Sequence, residues 1–258
     1  MTPAVIILAH ATDHGAGLVA GWLVRELGVT AVRIVRPETL SLAQWSLRID
    51  VRGRAVVRAA WEGTATIEDC RVGAVLNRIH YLPSPRFHRS CAKDRDYAGA
   101  EIQAVVSSWL GRYGDRVVPD MRRDGRLTPV LPLQHWAAAA AANGLPVAVR
   151  TVTNSTRALR WRTPTASGGR GASAPEEVAA GSVLVAGDQA GGLLAGQFGA
   201  GCITTARALG FPLLEFRFAS SESETVLSDV NPLPPLGEAW EAALTGQLLA
   251  SLATEGPS

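Results

Sequence analysis

Lysine is almost missing from this sequence. Lys93 is the single lysine, so Arg supplies the other 24 of the 25 basic residues. The bias sits with the alanine run Ala137–Ala142 and reads as a coding bias. Its consequence is chemical all the same, because any reaction that needs a lysine ammonium has one candidate. Cysteine is scarce too. Cys70, Cys91 and Cys202 are odd in number, far apart and form no Cys-x-x-Cys pair. That excludes a disulfide framework and suits a reducing cytoplasm with free thiols. Aromatic residues are 6% of the chain, and the seven Trp are scattered, so no aromatic and basic face for nucleic acid is visible. A net charge of +2 points the same way. No apolar run approaches the roughly 18 residues of a membrane span. The N-terminal run Val5–Ala9 has no basic residues before it, so it reads as a strand and not a signal peptide. No internal repeat is present.

What is present is a hydrophobic content of 47% in 258 residues, enough for one large core or two modest ones. Ala4–Ala9 is a short β-branched run, Gly15–Leu27 places apolar residues at helical spacing before a capping Gly28, and Val32–Val35 is a second strand. The chain therefore opens β-α-β, as open α/β sheets do. Ser46–Val51 and Ala55–Ala59, split by Arg52-Gly53-Arg54, read as a hairpin. Ala74–Ile79 is a strand. Asp94–Arg112 is a helix whose expected inner face holds Tyr97, Ile102, Val105, Val106 and Trp109. A short strand at Arg116–Pro119, an Ala-rich helix at Leu133–Asn143 and a strand at Val147–Val152 follow. The stretch Thr153–Gly181 has linker composition. Order is expected again at Ser182–Ala186 (strand), Ile203–Leu209 (helix), Phe211–Phe218 and Glu224–Val230 (strands) and Gly237–Leu252 (helix).

Three sets of residues carry a resemblance. The first is Ala74-Val-Leu-Asn-Arg-Ile79, then Asp94–Glu101, then Val117-Val-Pro119. The second is Leu133–Gly144 followed by Leu145-Pro-Val-Ala-Val-Arg-Thr151, with Ala148 where a second proline would fall. The third is Phe211–Phe218 with Thr225–Pro235, which holds the acid-x-Asn pattern Asp229-Val-Asn231. In this order they resemble the peptide-maturing ATP-grasp ligases. The resemblance implies an α/β fold, with a Rossmann-like pre-ATP-grasp domain over residues 1–125. A shortened ATP-grasp-like α+β domain would follow over 126–258, with a flexible linker at 155–180. It also implies ATP-dependent joining of a carboxylate to an amine or hydroxyl through an acyl-phosphate, often on a peptide, with magnesium held at Asp229 and Asn231.

The departures from the family pattern matter as much. The first metal motif's carboxylate position is occupied by Arg217, a cation that would repel magnesium. Arg217 is expected to pair with Asp229 instead, while Glu215, two residues away on the same strand face, and Asp188 remain candidate carboxylates. The family holds nucleotide phosphates with lysines, and none follows Lys93. Arg160, Arg162 or Arg170 would have to substitute. The expectation is therefore a degenerate homologue without cofactor, binding a peptide, small molecule or partner protein beside modifying enzymes. Such a protein would be cytoplasmic, without nucleic-acid or membrane partners, and compatible with a homodimer. The alternative is an active minimal ligase using Mg and ATP.

Other residues also bear on chemistry. Gly187-Asp-Gln-Ala-Gly-Gly192 follows a strand but lacks the phosphate-loop spacing, so a tight turn is expected. Gly168-Gly-Arg-Gly171 reads as linker. His10 and His14 flank the first β-α turn, at the carboxyl end of a strand where ligands bind in such sheets, with Asp13 as N-cap. With Arg78 and Arg86 they are candidates for an anionic ligand. His80, His88 and Cys91 lie near Arg89, Lys93 and Arg95, which admits a third alternative, an ATP-independent enzyme using His14 and Cys91.

Overall fold

In the computed structural model the described residues are 4–28, 31–49, 51, 55–60, 67–68, 72–119, 127, 131–147, 178–220 and 224–254. The stretch 148–177 therefore lies outside them. With it go the nucleotide-binding candidates Arg160, Arg162 and Arg170, most of the expected linker and most of the strand expected at Val147–Val152. Cys70 lies outside them as well. Among the described residues, the strand expected at Ser182–Ala186 spans Val178–Ala186.

Chain contacts divide the protein into two units. The first takes residues 1–130, 211–213 and 235–258, and the second takes 131–210 and 214–234. In this division the last helix belongs with the first unit.

The first unit is built on a parallel sheet of β1 (Ala4–Leu8), β2 (Val32–Val35), β6 (Val72–Asn77) and β7 (Val117–Val118) in the order β2-β1-β6-β7. Side chains of β1 and β6 are buried on both faces, which is why these runs are continuously apolar rather than alternating. Helix α1 (His14–Leu27) crosses between β1 and β2. It starts where the Asp13 side chain accepts from Ala16 N–H at 2.9 Å and stops at Gly28, whose φ of 87° few other residues adopt. A short helix α2 (Pro37–Leu42) leads into an antiparallel sheet of β3 (Gln44–Ile49), β4 (Ala55–Ala60) and β5 (Ile67–Glu68), ordered β3-β4-β5.

Helix α3 (Ala92–Gly111) sinks Val106, Trp109 and Leu110 into the core, where Trp109 meets Trp45 and Tyr113 edge-on. Tyr97 and Val105, expected on its inner face, are exposed instead, at 69% and 41%. Ala98 takes the buried position beside Tyr97. The apolar stripe of α3 is thus narrower than the sequence period suggested. The last helix, α6 (Ala239–Thr254), packs on α1 and β6, and Gly246 lets the Trp22 ring lie directly against the α6 backbone.

The second unit contains α4 (Leu133–Ala142), α5 (Ala195–Leu209) and a sheet ordered β11-β10-β8-β9. Its strands are β8 (Val178–Ala186), β9 (Gln189–Gly191), β10 (Leu213–Ser220) and β11 (Thr225–Asn231). Strands β8 and β9 form a hairpin whose two connecting residues are Gly187, at φ 61°, and Asp188. The glycine-rich segment is therefore a tight turn, as expected. Phe198 stacks on Phe218 with ring centroids 4.5 Å apart, and the Cys202 thiol is fully buried in α5.

Candidate functional site

The residues singled out near the C-terminus are brought together by the pairing of β10 with β11. The antiparallel register sets Glu215 opposite Asn231 and Arg217 opposite Asp229. Directly opposed residues share a sheet face, so all four side chains project from one side. Immediately beyond them the register slips, with Phe218 opposite Leu227, and the extra residue Ser228 donates its hydroxyl to the Arg217 carbonyl at 3.0 Å. A bulge of this kind ends regular pairing and re-aims neighbouring side chains.

Within this quartet the guanidinium is the hub. Arg217 donates to Glu215 Oε2 from both Nε (3.1 Å) and Nη2 (2.9 Å). Asn231 Nδ2 donates to the same oxygen at 3.1 Å. Asp229 is the more distant partner, its Oδ2 lying 3.7 Å from Arg217 Nη1. The expected Arg217–Asp229 pair therefore exists as the weaker arm. Glu215, which is buried, is the partner that holds the arginine, because a buried carboxylate needs its charge compensated in place. The hydrogen bond from Arg217 to Glu215 is the main cause that raises the guanidinium's pKa, opposed by partial burial and aided by the charges of Glu215 and Asp229. Arg217 stays cationic at any working pH.

Asn231 has a second constraint that the sequence reading missed. Its Oδ1 accepts from the Leu233 N–H at 2.9 Å, closing an Asx-turn. The signal was present in Asn231-Pro232, a pair that favours turn initiation. With the amide oxygen committed to the turn, the amide nitrogen faces Glu215. A hard divalent ion needs oxygens directed at it. Here the Asn231 side chain presents a donor, one Glu215 oxygen accepts three hydrogen bonds, and a cation already stands among the carboxylates. In this arrangement the quartet does not fit a divalent ion. Among the described residues no group of three or more His, Cys, Asp or Glu side chains is gathered as a metal site would be.

Asp188 is apart from the quartet in its bonding. It sits at the β8–β9 turn and pairs with Arg207 at 2.6 Å, both side chains well exposed. Such a pair adds little stability.

Of the N-terminal candidates, His10, His14 and Arg78 follow the carboxyl ends of β1 and β6, the switch point where β1 has β2 on one side and β6 on the other. Arg78 leaves β6 and donates from Nε to Asp13 Oδ2 at 2.7 Å, with both side chains nearly buried. Its Nη2 also reaches the Pro235 carbonyl at 3.4 Å. Asp13 thus serves as helix cap and counter-ion at once. His10 lies against the Tyr81 ring at 5.1 Å. Arg86 donates to the Leu42 carbonyl at 2.8 Å. Arg78 and Arg86 are therefore already engaged by oxygen acceptors. Cys91 is exposed at the N-cap of α3 and His14 opens α1, and no hydrogen bond joins the two among the described residues.

This architecture is the ATP-grasp ligase fold in the form seen in peptide-maturing enzymes, and three solved structures illustrate it. A ligase from Chryseobacterium gregarium, associated with ribosomal peptide modification and solved with ADP and a leader and core peptide, matches with TM-score 0.69 at 10% identity, over 99% of this chain and 98% of its own. The ligase PsnB, complexed with a minimal precursor, Mg and ADP, matches with TM-score 0.65 at 13% identity, over 97% and 98%. The macrocyclase MdnB from Microcystis aeruginosa matches with TM-score 0.60 at 15% identity, over 96% and 99%. Comparison with protein-family models finds no match, and comparison with curated proteins finds none either.

Proposed function

We propose that this protein keeps the ATP-grasp fold as a scaffold for binding a peptide, beside enzymes that modify the same peptide, and has given up magnesium–nucleotide chemistry. The observation that carries this is the Arg217 guanidinium, hydrogen-bonded to Glu215 between the carboxylates of β10 and β11. It supplies in covalent form the positive charge that a metal would bring. It cannot bridge phosphate oxygens to carboxylates with a metal's geometry. The lack of any lysine after Lys93 supports the same reading, since the family's phosphate-holding ammonium groups have no counterpart there. The peptide partner is inferred from solved structures of this fold that hold precursor peptides.

A second reading has one observation in its favour. The Arg217 side chain is 45% exposed, so a rotamer change could carry it into solvent and free Glu215 and Asp229. The protein would then be a minimal carboxylate–amine ligase, with Glu215, Asp229 and Asn231 as the residues that hold magnesium and the ion stabilising phosphate charge. Titration calorimetry with MgATP separates the two. The scaffold reading expects no saturable heat at several millimolar nucleotide. Saturable binding that disappears in Asp229→Ala would overturn it and install the ligase.

A further inference from the structure

The hairpin of β3 and β4 carries apolar side chains where no core receives them. Opposed pairs Trp45–Ala59, Leu47–Val57 and Ile49–Ala55 define one face of the sheet. Near its base that face is covered, since Trp45 packs on the core and Val57 and Ala59 are buried. Toward the tip it runs off the core: Leu47 is 62% exposed, Ile49 65%, and Val51 beyond the strand is fully exposed. The other face is basic along β3, while Arg58 of β4 stands opposite Glu68 of β5. Arg48 and Arg58 both project from it, exposed and diagonal to each other across the two strands. Residues 44–60 contain four arginines (Arg48, Arg52, Arg54 and Arg58) against the one acid Asp50, a net charge of +3.

Strand β3 is also the outer strand of its sheet, pairing only with β4 among the described residues. An edge strand offers alternate backbone donors and acceptors to a further strand. We infer that β3 is a docking edge for an extended peptide that alternates apolar and acidic residues. Added beside β3, such a peptide would set its apolar side chains next to Leu47 and Ile49, and its carboxylates next to Arg48. The charge selects this occupant over a second copy of the chain. Strand β3 holds no carboxylate, so β3 of a second copy would give Arg48 no opposite charge to meet. The inference rests on the peptide-binding reading above and names the chemistry of the peptide.

The test uses the full chain and a fluorescein-labelled octapeptide alternating Val and Glu, followed by anisotropy. Saturable binding is expected, weakening as salt rises. Arg48→Glu should reduce affinity about tenfold, since it replaces an attraction by a repulsion. Ile49→Thr, which keeps a β-branched strand former on an exposed site, should reduce it about threefold. A peptide of the same sequence, N-methylated on alternate residues, should not bind, because the ladder needs its N–H groups. Binding unchanged by both substitutions, or no binding at all, would overturn the proposal. So would sedimentation showing a dimer that Ile49→Thr converts to monomer, which would assign the edge to a second copy. Circular dichroism of each variant guards against misfolding, and Leu47→Thr repeats the test at the neighbouring site. MgATP calorimetry reads a different unit, so failure here leaves the scaffold reading standing, and nucleotide binding there leaves this result interpretable.

Discussion

At the residue scale, three side chains show how placement sets chemistry. Glu215 and Asp229 are both carboxylates on one sheet face, yet the buried one takes the arginine's hydrogen bonds and the exposed one only its longer-range attraction. Desolvation decides the difference, since a buried charge without a partner costs far more than an exposed one. The third case is thiol chemistry. Burial pushes the Cys202 thiol from its ordinary value of 9.0 up to about 12, whereas Cys91 is exposed. Between those two values the unfolded chain loses a proton that the folded chain keeps, so this group lowers stability as pH rises through that window. Iodoacetamide at pH about 8 should therefore label Cys91 in the native protein and reach Cys202 only after denaturation. Peptide mass mapping checks this, and native labelling of Cys202 would show that α5 opens readily.

At the scale of elements, the start of α1 is tightly constrained. Asp13 caps the helix, Arg78 grips Asp13, and the chain at Pro235 passes so close that a Cβ on Gly15 would lie 2.3 Å from the Pro235 carbonyl oxygen. Backbone on both sides leaves little room to adjust. Gly15→Ala should cost about 2 kcal/mol of stability. Gly17→Ala, on the same helix but meeting nothing within 4 Å, should be neutral or stabilise by up to about 1 kcal/mol. Urea unfolding of the two variants reads the contrast. Equal effects would mean that helix propensity outweighs the close approach. The bulge at Ser228 works at the same scale, because it separates the four-residue cluster from the ordinary strand beyond it.

At the scale of the whole molecule, the chain interleaves its units. Residues 211–213 and 235–258 belong with the first unit although the strands between them belong to the second. Helix α6 covers α1 and β6, with Leu249 fully buried and Gly246 against Trp22. Removing residues 235–258 should therefore abolish the cooperative unfolding of the N-terminal unit, even though its parallel sheet, as described, lies before residue 130. Thermal circular dichroism of the shortened chain checks this. A retained sharp transition would show that the parallel sheet folds without its C-terminal cover. Among the described residues no helix is long and apolar enough to cross a membrane.

Much of this was legible in the sequence because it depends on near neighbours. The β-α-β opening, the Asp13 cap, the pairing of β3 with β4 and the Gly187-Asp188 turn follow from periodicity and from residues that suit a local backbone shape. The same holds for the choice of Asp229, Asn231 and Arg217 as the residues to watch, since strand spacing puts them on one face. Tertiary structure alone decided which partner each group takes. Arg78 reaches Asp13 across the first unit, Glu215 outcompetes Asp229 for Arg217, and Asn231 turns its oxygen to Leu233. Tyr97 and Val105 fall outside the core for a related reason: a helical stripe says which residues share a side, but only the packed neighbour says how wide that side is. The packing of the final helix was decided the same way, because it finds its apolar cover in elements formed at the other end of the chain.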